Sequence, residues 1–215
     1  MSYFTVRNEA VAEFEEKKSV FIGHVKRVHT EEEAKEFINK VKGQHKEARH
    51  NVYAYAIGVN KGIQRYSDDG EPQGTGGIPV LEVLKKSDLT DIVVVVTRYF
   101  GGILLGTGGL ARAYSKGASL AIGESGVVEK VLGVPLRITI DYELLGKIQY
   151  VCSTNQWHIE DTVYTDKVEI LMYCESTMIK QISDTLTENT NGKLVISEGD
   201  EEYFFKQDNR LYVVN

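Results

Sequence analysis

From Asp91 to Thr97 the chain reads DIVVVVT and runs straight into RYFGGILLGTGGLAR, fifteen residues from Arg98 to Arg112 that hold five glycines. A continuous β-branched run is the pattern of a central strand buried within a sheet. The fold must therefore contain such a strand and let it empty into a glycine-rich segment. Glycine is favoured where φ is positive or where another backbone comes close, and in a helix it costs up to about 1 kcal/mol relative to alanine.

Two phosphate-binding patterns share this spacing, and neither fits. Gly101 and Gly106 stand at the interval of a Walker A loop, but Thr107 occupies the place of the phosphate-gripping lysine. The string from Gly106 to Ala111 matches the G-x-G-x-x-A of dinucleotide binders, yet seven residues separate it from Arg98, where that fold leads almost directly from strand to glycine. No cofactor is expected. Two readings stay open: the glycines let a helix N-terminus pack against the sheet, or that N-terminus and its loop receive an anionic group, with Arg98 and Arg112 supplying charge.

Around this segment the pattern is mixed. Ser19 to Val28 reads as a strand, followed by a helix that Thr30 and Glu33 open as a capping box, with Ala34, Phe37, Ile38 and Val41 on one face and Gly43 at its end. Asn51 to Val59 alternates and pairs across a turn at Asn60-Lys61-Gly62 with Gln64 to Tyr66. A long loop, SDDGEPQGTGGIP, precedes a short helix from Pro79 to Lys86, and helical spacing resumes from Leu110. Around Val131 to Pro135 the glycines thin out and a new order begins: strand 136–141, helix 143–154, strands 158–165 and 167–174, helix 177–190, and a closing strand or hairpin from 193–197 and 202–205. That is βαββαβ, the split arrangement of the ferredoxin-like fold. The 215 residues thus divide into domains at 1–133 and 134–215 in an α+β chain.

Charge is uneven. Residues 1–133 hold 18 Lys+Arg against 17 Asp+Glu, and 134–215 hold 7 against 14. The near-neutral first half can present a basic face to RNA, whereas the acidic second half repels phosphate. The N-terminus has acidic residues where a signal peptide needs a basic start, and no apolar run spans a bilayer, so a cytoplasmic protein without membrane contact is expected. Cys152 and Cys174 have neither zinc-site spacing nor a disulfide framework and read as buried free thiols.

The acidic turn Ser67-Asp68-Asp69-Gly70-Glu71-Pro72 lacks the alternating ligands of a calcium loop, so no metal is expected, and its aspartates can bond the local backbone. Of the five histidines, His50 stands out, because it immediately precedes a strand and can face the loops at 67–77.

Taken together, Lys18-Ser19-x-Phe21-Ile22, Ala48-x-His50-Asn51, Ser67-Asp68-Asp69-Gly70-Glu71-Pro72-x-Gly74-Thr75 and Val96-Thr97-Arg98-Tyr99-Phe100-Gly101-Gly102, continuing to Arg112-Ala113-Tyr114, resemble the IMPACT family in its bacterial, YigZ-like form. The resemblance covers about residues 18 to 124, with a weaker likeness beyond. It implies an N-terminal domain like the second domain of ribosomal protein S5, close to domain IV of elongation factor G, and a ferredoxin-like domain resembling that factor's domain V. One departure is Gly76, where the family has alanine; a missing methyl is expected to loosen the loop.

The eukaryotic namesake restrains the starvation response by competing for an activator of a kinase acting on an initiation factor. For this chain the resemblance implies a translation-associated binding protein, with RNA, the ribosome or a translation-regulatory protein as partner and no DNA specificity. Arg65, Arg98, Arg112 and Lys116 are expected to meet phosphate and Tyr99 to stack on bases, beside His50, Asp68, Asp69 and Glu71 on one convergent patch. The alternative is a small-molecule hydrolase or other enzyme using His50, Asp68, Asp69, Glu71 and Arg98, although no paired-metal ligand pattern supports the peptidase label that some relatives carry.

Overall fold

The computed structural model describes residues 2–214, which form a two-domain α+β chain. One compact unit is Tyr3–Val128; the other begins at Glu129, so the division falls inside a strand.

The first unit contains β1 (Tyr3–Val6), β2 (Ala10–Glu16), β3 (Ser19–Arg27), α1 (Glu31–Gln44), β4 (His50–Ile57), β5 (Ile63–Ser67), α2 (Gly77–Lys86), β6 (Ile92–Tyr99) and α3 (Thr107–Ser125). Five strands make one antiparallel sheet in the order β2-β3-β6-β4-β5. On one face Ile92, Val94 and Val96 pack with Phe21, Val25 and Val52 against α2 and α3. On the other, Val93 and Val95 meet Ala34, Phe37, Ile38 and Val41 of α1. Helices on both faces explain why β6 shows no polar alternation, although such runs are commoner in parallel sheets.

The capping box of α1 forms with a one-residue offset. Thr30 accepts from the Glu33 N–H at 3.2 Å, while the Glu33 carboxylate accepts at 2.7 Å from the N–H of His29 rather than of Thr30. The helix runs one residue past Gly43.

Two N-terminal strands had no readable signal. β2 is a half-exposed edge joined to β3 through Lys17 and Lys18, at φ 47° and 64°. Tight hairpins want glycine or asparagine there, so two lysines conceal the turn. β1 is tied down by Asp91, whose carboxylate accepts from the Tyr3 hydroxyl at 2.7 Å and the Gly58 N–H at 2.9 Å and lies 3.3 Å from His29 Nδ1. Burial acts to raise the Asp91 pKa, but these bonds together hold it below the usual carboxylate value.

The second unit comprises most of β7 (Val127–Ile140), then α4 (Leu145–Thr154), β8 (Asp161–Tyr164), β9 (Val168–Glu175), α5 (Ile179–Asn189), β10 (Val195–Glu198), β11 (Glu202–Gln207) and β12 (Arg210–Val213). The C-terminal half of β7 lies between β10 and β9, and β8 flanks β9, giving the four-stranded ferredoxin-like order. Ile148, Val151 and Cys152 of α4 and Ile182 and Leu186 of α5 cover one face.

Of the two expectations for the closing segments, a strand or a hairpin, the strand holds in two pieces. β10 and β11 do not form a hairpin with each other. They pair end to end along one edge of β7, and β11 makes its hairpin with β12. The cause is the length of β7, whose 14 residues accommodate two short partners in succession. Cys152 and Cys174 are buried and unpaired, and burial pushes both thiols up to about 11.

Candidate binding surface of the first unit

The acidic turn is built as a backbone clamp. Asp68 accepts from the N–H groups of Gly74 at 2.8 Å, Gly76 at 3.0 Å and Gly77 at 2.8 Å. The last two open α2, whose N-cap Gly76 has no side chain of its own to bond them. Asp69, at φ 46°, accepts from Lys42 Nζ and the Asn51 N–H, each at 2.6 Å. Its carbonyl accepts at 2.9 Å from His50 Nδ1, so that nitrogen is a donor.

Glu71 and Arg98 are both nearly enclosed, at 8% and 6% exposed. Glu71 Oε1 accepts from Arg98 Nη1 and from the Tyr114 hydroxyl, each at 2.7 Å, and lies 3.9 Å from His50 Nε2. Burial, reinforced by the bond to Glu71, pushes the Tyr114 phenol far above its ordinary value. Arg98 is packed between the rings of Phe21 and Phe100, at 5.6 and 5.4 Å. A guanidinium committed in this way is a core group and offers little to a phosphate. Tyr114 completes the cluster; it stands in the motif and on the helix that starts near Leu110, and neither place marks a polar partner.

Tyr99 is on the opposite face, because side chains alternate along β6. Its hydroxyl lies 2.9 Å from His45 Nδ1, and His45 Nε2 lies 3.1 Å from His24 Nε2. Burial, aided by the charges of His45 and Lys40 and opposed by Glu9, drives His24 down to about 4. The unfolded chain, with an ordinary value near 6.5, then takes up the proton first. Stability is whole above about pH 6.5 and falls as pH drops toward 4, by on the order of 2 kcal/mol. Urea titrations across that range should show a shallower acid loss in His24→Gln than in the parent; equal slopes would place the acid sensitivity elsewhere.

Arg65 is also remote, with Nε 3.7 Å from Glu31 at the start of α1. The expected convergent patch is thus divided. Asp68, Asp69, Glu71, His50 and Arg98 form one internal cluster, while Tyr99 and Arg65 belong to the α1 side of the sheet.

Arg112 and Lys116 remain together. One turn apart on α3, they line a groove of about 280 Å³ with Phe14, Glu16 and Lys17 from β2 and its turn. Lys116 Nζ sits 4.3 Å from the Phe14 ring centre. Among the described residues, Lys17, Arg112 and Lys116 take part in no ion pair. The glycine-rich segment between β6 and α3 is a loop that displays Phe100, Ile103 and Leu104, the last 82% exposed. Among the described residues no group of three or more His, Cys, Asp or Glu could hold a metal ion, and no helix is long and apolar enough to cross a membrane.

The chain matches the family models described as Impact N-terminal domain, over residues 17–122, and Domain of unknown function (DUF1949), over 138–193. It is 48% identical to the IMPACT family member YvyE of Bacillus subtilis (strain 168), over 98% of this chain and 97% of that protein. The chain belongs to the IMPACT family. The family member YigZ of Escherichia coli (strain K12) is 34% identical over 83% of this chain and 88% of its own. The Protein IMPACT homolog of Dictyostelium discoideum is 43% identical over 42% of this chain and 27% of its own length. A crystal structure of a hypothetical protein superimposes with a TM-score of 0.59 at 31% identity, covering 94% of this chain and 98% of the other.

In this IMPACT family member the residues quoted as the motif fall largely into the internal cluster. Asp68 binds the loop backbone, Asp69 binds Lys42 and the Asn51 N–H, and Glu71 binds Arg98 and Tyr114, so a large part of the motif encodes the fold of the loop. The glycine at 76 fits the same account. A Cβ there would lie 2.8 Å from Val52 Cγ2, so an alanine would require Val52 to shift. Three backbone N–H bonds to Asp68 hold the loop at this position.

Proposed function

We propose that the first unit is the RNA-contacting module of a translation-associated regulatory protein, and that the groove between β2 and α3 receives the phosphate backbone. The observation that carries this reading is the set of three cations, Lys17, Arg112 and Lys116, around one groove with no ion-pair partner among the described residues. Unpaired cations at an open groove attract polyanions and release counterions when they bind. Phe100, Ile103 and Leu104 stand exposed on the loop leading into the same helix, where Phe100 can stack on an unpaired base. The link to translation comes from the family likeness, and the ribosome is the natural source of such RNA. Arg98 drops out of the phosphate set because Glu71 holds it in the core, and Arg65 because it lies beside Glu31 on the other side of the sheet.

The test is binding of a labelled single-stranded RNA, and of ribosomes by co-sedimentation, across a salt series. Affinity should fall steeply with salt. The double substitution Arg112→Glu with Lys116→Glu should weaken it at least about tenfold and flatten the logarithmic salt slope by about 1.4, near 0.7 for each lost single-strand phosphate contact. Weak binding with the same shallow slope in both proteins would overturn the reading.

A further inference from the structure

The second unit contains an interrupted sheet edge. β8 pairs with β9 only as far as Leu171, whose carbonyl accepts from the Glu160 N–H at 2.8 Å. Beyond that point the neighbouring chain leaves the sheet, while β9 continues to Glu175 against β7 on its other side. Backbone groups of alternate residues point to opposite neighbours in an antiparallel strand. Lys167 and Leu171 direct their carbonyls toward β8, accepting from Thr165 and Glu160, so Tyr173 directs its N–H and C=O the same way. Its partner on β7 is Pro135, which has no N–H to exchange. Among the described residues nothing bonds the Tyr173 N–H or C=O.

A cavity of about 270 Å³ lies along this open edge. Its apolar lining includes Trp157, Met172, Met178, Ile182 and Leu211. Its rim is polar: Lys206 pairs with Glu175 at 2.7 Å, and Asn209 donates to Gln156 at 2.9 Å. An unpaired strand edge beside an apolar pocket is the arrangement that recognises extended peptides, with main-chain bonds giving affinity and the pocket selecting a side chain.

We propose that this edge binds an extended segment of a partner protein by strand addition to β9 at Tyr173, with one apolar side chain of the segment seated in the Trp157 pocket. The binding is independent of the RNA groove, since every group involved belongs to the second unit.

Trp157 is the sole tryptophan of the chain and lines the pocket, so its emission reads occupancy directly. The probe is a terminally blocked hexapeptide of alternating threonine and leucine, titrated into the full chain. Two counterparts are N-methylated, one at the leucine amides and one at the threonine amides. The expected result is a saturable shift in Trp157 emission that weakens at least about tenfold for one methylated peptide and not for the other, because only one set of amides faces the edge. Tyr173→Pro, which deletes the unpaired donor and no bond to β7, should weaken the parent peptide by a similar factor. Equal affinity of all three peptides, no shift at millimolar peptide, or equal binding of free leucine would overturn strand addition. Self-association of the chain alone that buries Trp157 would assign the edge to a second copy and overturn the proposal as well.

Discussion

Glu71→Ala should destabilise the first unit by about 3 to 5 kcal/mol, the range for removing one partner of a buried ion pair. The loss goes beyond one contact. Arg98 would keep its charge in an enclosure between two phenyl rings, and the Tyr114 hydroxyl would lose its acceptor in the core. Glu71→Gln keeps the shape and an acceptor oxygen but not the charge, and should lie between parent and alanine variant. Replacing both members, Glu71→Leu with Arg98→Met, should recover much of the loss, since no uncompensated charge stays behind. Far-ultraviolet circular dichroism in urea, with hydrogen exchange of the β6 amides, gives the measurement. A loss below about 1 kcal/mol for Glu71→Ala would show that water reaches the pair, and would restore these side chains as candidates for surface chemistry.

That outcome bears on how the motif is understood. Carboxylates, an imidazole and an arginine within a short stretch of sequence look like reactive chemistry. Here Asp68 uses both oxygens for three backbone N–H groups, Asp69 uses both for Lys42 and the Asn51 N–H, and Glu71 accepts from Arg98 and Tyr114 on Oε1 alone. A loop rich in glycine and proline between β5 and α2 has many backbone donors and few neighbours, and side-chain acceptors replace the missing ladder.

The sheet and its helices were legible because hydrophobic period and capping residues record them locally. The run from Ile92 to Val96 is apolar at every position because both faces are covered, and the second unit's strand and helix order follows its periodicity. The site was less legible. Arg98 and Tyr99 are adjacent in sequence, yet strand alternation sends one toward α3 and the other toward His45. Lys17 was invisible as a groove residue because the β2–β3 hairpin has no glycine to announce it, and its nearness to Arg112 arises only when that edge packs on α3. The open edge of β9 likewise depends on where β8 stops, which is set by tertiary packing and not by any residue of β9 itself.

Gly23→Ala should be a strongly damaging single-methyl change in the first unit. Strand β3 and helix α3 meet there at backbone distance: a Cβ on Gly23 would lie 2.3 Å from the carbonyl oxygen of Gly117 and 3.1 Å from Ala121 Cβ. On the helix side a Cβ at Gly117 would come within 2.9 Å of Val96, so the two glycines form a matched contact. Because the obstructing atom belongs to the backbone, no rotamer relieves the clash, and α3 must move away from the sheet. Overpacking commonly costs about 1 to 3 kcal/mol, and a rigid obstruction in a fully buried layer puts this case at about 3. Moving α3 also displaces Tyr114 from Glu71 and shifts Arg112 and Lys116 relative to Phe14, so stability and RNA affinity should fall together. In Arg112→Glu with Lys116→Glu, by contrast, affinity should fall while the unfolding midpoint is retained. An alanine at 23 that left both properties unchanged would mean that α3 does not rest on β3 at Gly117, and would remove the packing that fixes the basic groove in place.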